Sequence, residues 1–87
     1  MLERNIIGKK IKIIRLSKEI TQKQLAARLN INGIEIDQTM ISKIEEQVRG
    51  IQDYEIKSFA MVLGVTIEDL FSWNQIIKGS DCYFYYL

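Results

Sequence analysis

Between Thr21 and Glu45 the apolar positions follow a helical period twice, with a break between the two runs. In the first run Leu25, Ala26 and Leu29 fall on one face. Thr21 precedes them as an N-cap, and Gln24 three positions on completes a capping box. In the second, Asp37 caps a helix starting at Gln38, with Ile41 and Ile44 facing inward. Its opposite face carries Gln38, Thr39, Ser42 and Lys43, all short or flexible hydrogen-bonding groups. An apolar back with such a front suits a helix that reads base edges in a major groove. The same pattern also describes an amphipathic helix with a plain solvated face.

The rest of the chain is patterned to support these two helices. A first helix is predicted from about Glu3 to Lys18, with Ile7, Ile11 and Ile14 inward and Ile6, Ile13 and Leu16 widening the stripe. Gly8 within it lowers helix propensity by roughly 1 kcal/mol relative to alanine, which a close helix–helix approach would explain. Arg15 borders the apolar stripe, where a buried charge requires a partner. Asn32-Gly33 signals a turn, and residues 30–37 read as an extended loop with Ile34 and Ile36 tucked against the core. After the breaker Gly50, Asp53 reads as the N-cap of a helix buried through Ile56, Phe59, Ala60 and Leu63, closed by Gly64. Thr66 caps a last helix from Ile67 to about Trp73, with Asp69 at its third position and Leu70 inward. Five helices, short connections and no proline predict an all-α orthogonal bundle over residues 1–73, followed by a tail over 74–87.

Composition narrows the class. With 87 residues, 47% hydrophobic and 26% charged, the chain suits one small globular domain rather than a disordered one. No apolar run reaches membrane-spanning length, and the opening MLERNIIGKK lacks the apolar core of a signal peptide. A cytoplasmic location is the expectation. Cys82 is the one cysteine and there is no histidine, so neither an internal disulfide nor a thiolate or imidazole metal site is expected. The commonest general base is missing too, so no cofactor and no enzymatic activity are expected. Net charge is only +1, but residues 1–29 hold eight basic and two acidic side chains, while 30–87 hold four and nine. Such a split fits a surface with one side suited to polyanions, or lysines that merely solvate the first helix.

Taken together, IGKKIKIIRLSKEITQKQLA, QTMISKIE and DYEIKSFAMVLGVTIEDLF resemble the phage-repressor-type (Cro/CI, xenobiotic response element) helix-turn-helix family over about residues 6 to 71. The resemblance implies a five-helix lambda-repressor-like bundle that binds double-stranded DNA as a transcriptional regulator, commonly as a homodimer. It places Gln38, Thr39, Ser42 and Lys43 at base edges and Gln22 at a backbone phosphate, with Lys23 and Arg49 as further phosphate candidates. It also implies that Arg15 and Glu45 pair, tying the first helix to the end of the third. The competing expectation is a protein-interaction module, antitoxin-like, built on the same scaffold.

Three features depart from the family pattern. Eight residues separate Leu29 from Gln38, more than the usual turn, which makes this a long-turn variant. The thermodynamic cost of lengthening is small, about 0.6 kcal/mol per doubling. After the third helix, Glu46-Gln47 and Val48 replace the usual Asn-Gly and lysine, leaving glutamine where positive φ is often required and Glu46 near phosphate. The tail ends in CYFYYL, which reads as a dimerisation segment, a strap over the core or a disordered end.

Overall fold

A computed structural model of the chain describes residues 4–72. They form α1 (Gly8–Ser17), α2 (Gln22–Ile31), α3 (Gln38–Glu45), α4 (Asp53–Leu63) and α5 (Ile67–Phe71), with no strand among the described residues. The predicted all-α five-helix bundle is the observed architecture. α3 packs against both α1 and α2, α4 lies behind α2 and α1, and α5 closes on α4 and α1.

Local signals in the chain set the helix ends. Thr21 Oγ1 accepts from the Gln24 N–H at 3.0 Å and Gln24 Oε1 from the Thr21 N–H at 2.9 Å. Asp37 Oδ1 accepts from the Met40 N–H at 2.8 Å. Thr66 and Asp69 reciprocate in the same way, both at 3.0 Å. Each such cap stabilises a helix start by about 1 kcal/mol. Gly64 ends α4 with φ 73°, and the Val65 N–H then reaches back to Ala60 O at 3.0 Å.

The core is one cluster to which every helix contributes: Ile11 from α1, Leu25 and Leu29 from α2, Ile41 and Ile44 from α3, Phe59 from α4 and Leu70 from α5 have no exposure. Ile34 and Ile36 join it from the α2–α3 connection. That connection is also bonded from within, since Asn30 Nδ2 donates to Ile34 O at 2.8 Å and to Ile36 O at 3.0 Å. Ile34 and Ile36 thus anchor the connection on the core, while Asn32, Gly33, Glu35 and Asp37 are exposed.

Several predicted boundaries move. α1 starts at Gly8, not near Glu3, because Asn5 turns the chain and its Oδ1 accepts from the Gly8 N–H at 2.6 Å. Ile6 and Leu16 point outward instead of widening the stripe. α2 continues to Ile31, which shortens the loop to 32–37. Asp53 is the first residue of α4 rather than its cap; Gln52 takes the extended cap conformation, and its N–H donates to Glu55 Oε1 at 2.8 Å. α5 ends at Phe71. Glu3, Trp73 and the tail 74–87, with the expected dimerisation segment, lie outside the described residues.

Gly8 has a steric reason. A Cβ there would overlap the carbonyl oxygen of Ile44 and stand 2.9 Å from Asn5 Oδ1 and 3.1 Å from Gln47 Cγ. The absent side chain lets α1 lie directly on the end of α3.

Candidate nucleic-acid interface

α3 is a short helix with two unlike faces. Ile41 and Ile44 anchor its back in the core, while Gln38, Thr39 and Lys43 are exposed on its front. The side chains of these three make no hydrogen bond or ion pair to any described residue, so they remain free to meet another surface. Ser42 is half-buried and partly committed: its Oγ donates to Glu46 Oε2 at 3.4 Å, one turn further along the same face.

The end of α3 is fixed by a buried ion pair. Arg15 Nε donates to Glu45 Oε2 at 2.7 Å and its Nη2 to Oε1 at 3.1 Å. The remaining guanidinium nitrogen, Nη1, donates to Ile20 O at 2.8 Å. Gln22 Nε2 adds a donor to Glu45 Oε1 at 2.9 Å. The two charged side chains are 8% and 2% exposed, so the pair is desolvated and its geometry must be nearly complete to be tolerated. One carboxylate thus joins α1, the start of α2 and the end of α3.

In sequence order, α2 ends, the chain turns through Asn32-Gly33, and α3 presents a polar front braced from behind. A helix-turn-helix family model, of the Cro/CI (XRE) type, matches residues 11–70. The chain belongs to that helix-turn-helix family. It is a DNA-binding, non-enzymatic family, so this bundle is a helix-turn-helix DNA-binding regulator domain. No curated protein and no solved structure gives a match. No helix among the described residues is long and apolar enough to cross a membrane.

Within this helix-turn-helix domain, the residues expected at the interface divide into two groups. Gln38, Thr39, Ser42 and Lys43 share the front of α3. Gln22 and Lys23 open α2, where Lys23 is exposed and Gln22 is half-buried by its bond to Glu45. Arg49 is set apart from both. Its Nη2 lies 3.1 Å from Glu55 Oε2, its Nη1 3.3 Å from Oε1, and Nη1 also donates to Gly50 O at 2.9 Å. Glu55 is 4% exposed, so Arg49 neutralises a buried carboxylate and clamps the turn after α3 to the start of α4.

The basic half of the chain is real on the surface but smaller than its count. Lys10 and Arg15 are buried; Lys10 Nζ donates to Ser72 O at 2.8 Å. Arg4, Lys9, Lys12, Lys18, Lys23 and Arg28 are exposed. Gln47 adopts φ 65°, the left-handed conformation its position was expected to need. That conformation costs a non-glycine residue roughly 1–2 kcal/mol. Its side chain offsets part of this by donating from Nε2 to Asn5 O at 3.1 Å while buried. The pattern-based reading missed Lys10, Asn5 and Glu55. Glu55 had a local signal, as an acid three residues after a cap position, and so had Asn5, a capping residue type three ahead of Gly8.

Proposed function

We propose that this protein is a sequence-specific transcriptional regulator that inserts α3 into the major groove. The observation that carries the reading is the front of α3: Gln38, Thr39 and Lys43 exposed and uncommitted, on a helix whose back is wholly buried. Glutamine pairs with adenine through two hydrogen bonds, lysine reaches guanine, and the threonine methyl meets that of thymine. Ser42 serves either base, in competition with Glu46. Gln22 and Lys23 hold a phosphate at the start of α2, helped by backbone N–H groups that the helix leaves unbonded. Arg49 is engaged by Glu55, so its main part is to position the turn, with its remaining N–H groups left for a phosphate. The protein acts in the cytoplasm, without metal or cofactor, as a homodimer on a two-part operator.

Selection of binding sites from a random duplex library, followed by salt titration of the enriched sequence, tests this directly. The expected outcome is an enriched half-site whose log affinity falls against log salt by about 0.9 per phosphate neutralised. No enriched sequence, or binding indifferent to salt, would transfer the assignment to a protein-binding module.

A further inference from the structure

The segment before α1 is held against the turn that follows α3. The Arg4 N–H donates to Gln47 O at 2.9 Å. Asn5 Nδ2 donates to Ile44 O at 3.1 Å and to Arg49 O at 2.8 Å, so one buried amide spans the whole turn. Gln47 Nε2 returns a bond to Asn5 O. Residues 4 and 5 are thereby fixed from both sides to the last residues of α3 and those that follow it. The Arg4 side chain, by contrast, is exposed and forms no hydrogen bond or ion pair with a described residue.

The turn beside it is short of available positive charge. Glu46, Gln47 and Val48 follow α3 directly, and the guanidinium of Arg49 is held by Glu55. A phosphate lying along that end of α3 would face the exposed Glu46 carboxylate, and the turn offers only Arg49, already paired with Glu55, to offset it. Arg4 is an exposed cation from outside α3 whose backbone is bonded to this turn. Arginine suits the task, since its planar fork donates two parallel hydrogen bonds to phosphate oxygens. Because its backbone is already ordered by neighbouring hydrogen bonds, binding has only the side chain left to order.

We propose that Arg4 is a DNA phosphate contact of this protein, supplied from ahead of α1 to the turn after α3. The inference rests on the DNA-binding reading with α3 in the groove. It adds a residue outside the α2–α3 motif to the interface and assigns the Asn5–Gln47 bonds the role of placing that residue.

Salt titration of the full chain, native and with Arg4→Ala, Arg4→Lys or Arg4→Glu, on one enriched half-site duplex tests the proposal. Melting curves followed by circular dichroism verify that each variant folds, as an exposed side chain predicts. Arg4→Ala should lower affinity for every duplex sequence alike and make the log–log salt slope shallower by about 0.9 per bound chain. Its deficit against the native chain should then grow about 3.5-fold between roughly 200 and 50 mM salt. Arg4→Lys should keep the native slope, and Arg4→Glu should bind more weakly than Arg4→Ala. An Arg4→Ala variant matching native affinity and slope, or an Arg4→Lys variant as impaired as Arg4→Ala, overturns the contact while leaving the DNA-binding reading intact. A native chain with no salt-dependent duplex binding overturns both.

Discussion

Glu45→Ala removes the acceptor of three hydrogen bonds at once, two from Arg15 and one from Gln22. What remains is a guanidinium whose side chain is 8% exposed, bonded only to Ile20 O. Breaking a buried pair from one side typically costs 3–5 kcal/mol, because the stranded charge keeps its desolvation penalty without its partner. Domains of this size are stable by roughly 5–15 kcal/mol in total, so the variant should sit at the edge of folding. In urea, with a slope of about 1 kcal/mol per molar for so small a chain, the midpoint should fall by about 3 M or more. Arg15→Met combined with Glu45→Leu removes both charges and fills the space. It should cost less, about 2 kcal/mol, chiefly the Ile20 carbonyl and the Gln22 amide left without their partners. Urea titrations of the native chain, both single variants and the double variant form a cycle whose coupling energy is the quantity at issue. If each single replacement costs less than about 1 kcal/mol and the two effects add, the pair behaves as an exposed one and does not hold α3 in place.

Gly8→Ala should destabilise the fold by about 1–3 kcal/mol despite alanine's better helix propensity, since the added methyl meets the Ile44 carbonyl; thermal denaturation reads the sign. Thr39→Ala and Lys43→Ala should each shift base preference by roughly 1–3 kcal/mol, the worth of one good base-edge interaction, whereas Gln22→Ala should weaken all sequences alike; repeated site selection separates the two outcomes. An unchanged preferred sequence in both α3 variants would mean that α3 is not the reader. The full chain should sediment as a dimer, and deleting residues 80–87 should give a monomer that binds a two-part site more weakly but a half-site equally well. A monomeric full chain at tens of micromolar refutes the dimer.

What the amino-acid sequence determined by itself is governed by neighbours three or four positions apart, although the Asn5–Gly8 and Gln52–Glu55 bonds, equally local, were not read from it. Thr21 with Gln24, Asp37 ahead of Gln38, and Thr66 with Asp69 mark helix starts because a cap and its acceptor lie within one turn. Gly64 marks an end for the same reason, and the isoleucines of α1 and α3 declare their inward faces through the helical period. The front of α3 was legible in this way, and so was its membership in a helix-turn-helix pair. Arg15 could be recognised as needing a partner, but only the resemblance to a family pointed to Glu45, thirty positions away.

Tertiary structure alone decided that the segment before α1 lies on the turn after α3, because the Asn5 amide nitrogen reaches Ile44 and Arg49, residues with no local relation to it. It decided that Lys10 is buried while its neighbours Lys9 and Lys12 are not, although all three look alike in a charge count. It also engaged Arg49 by placing Glu55 beside it, and set Arg4 next to the end of α3. The reason is common to all of these. A side chain's hydrogen-bond partner within its own turn is fixed by helical geometry, whereas a partner from another element exists only once the packed core has brought the two elements together.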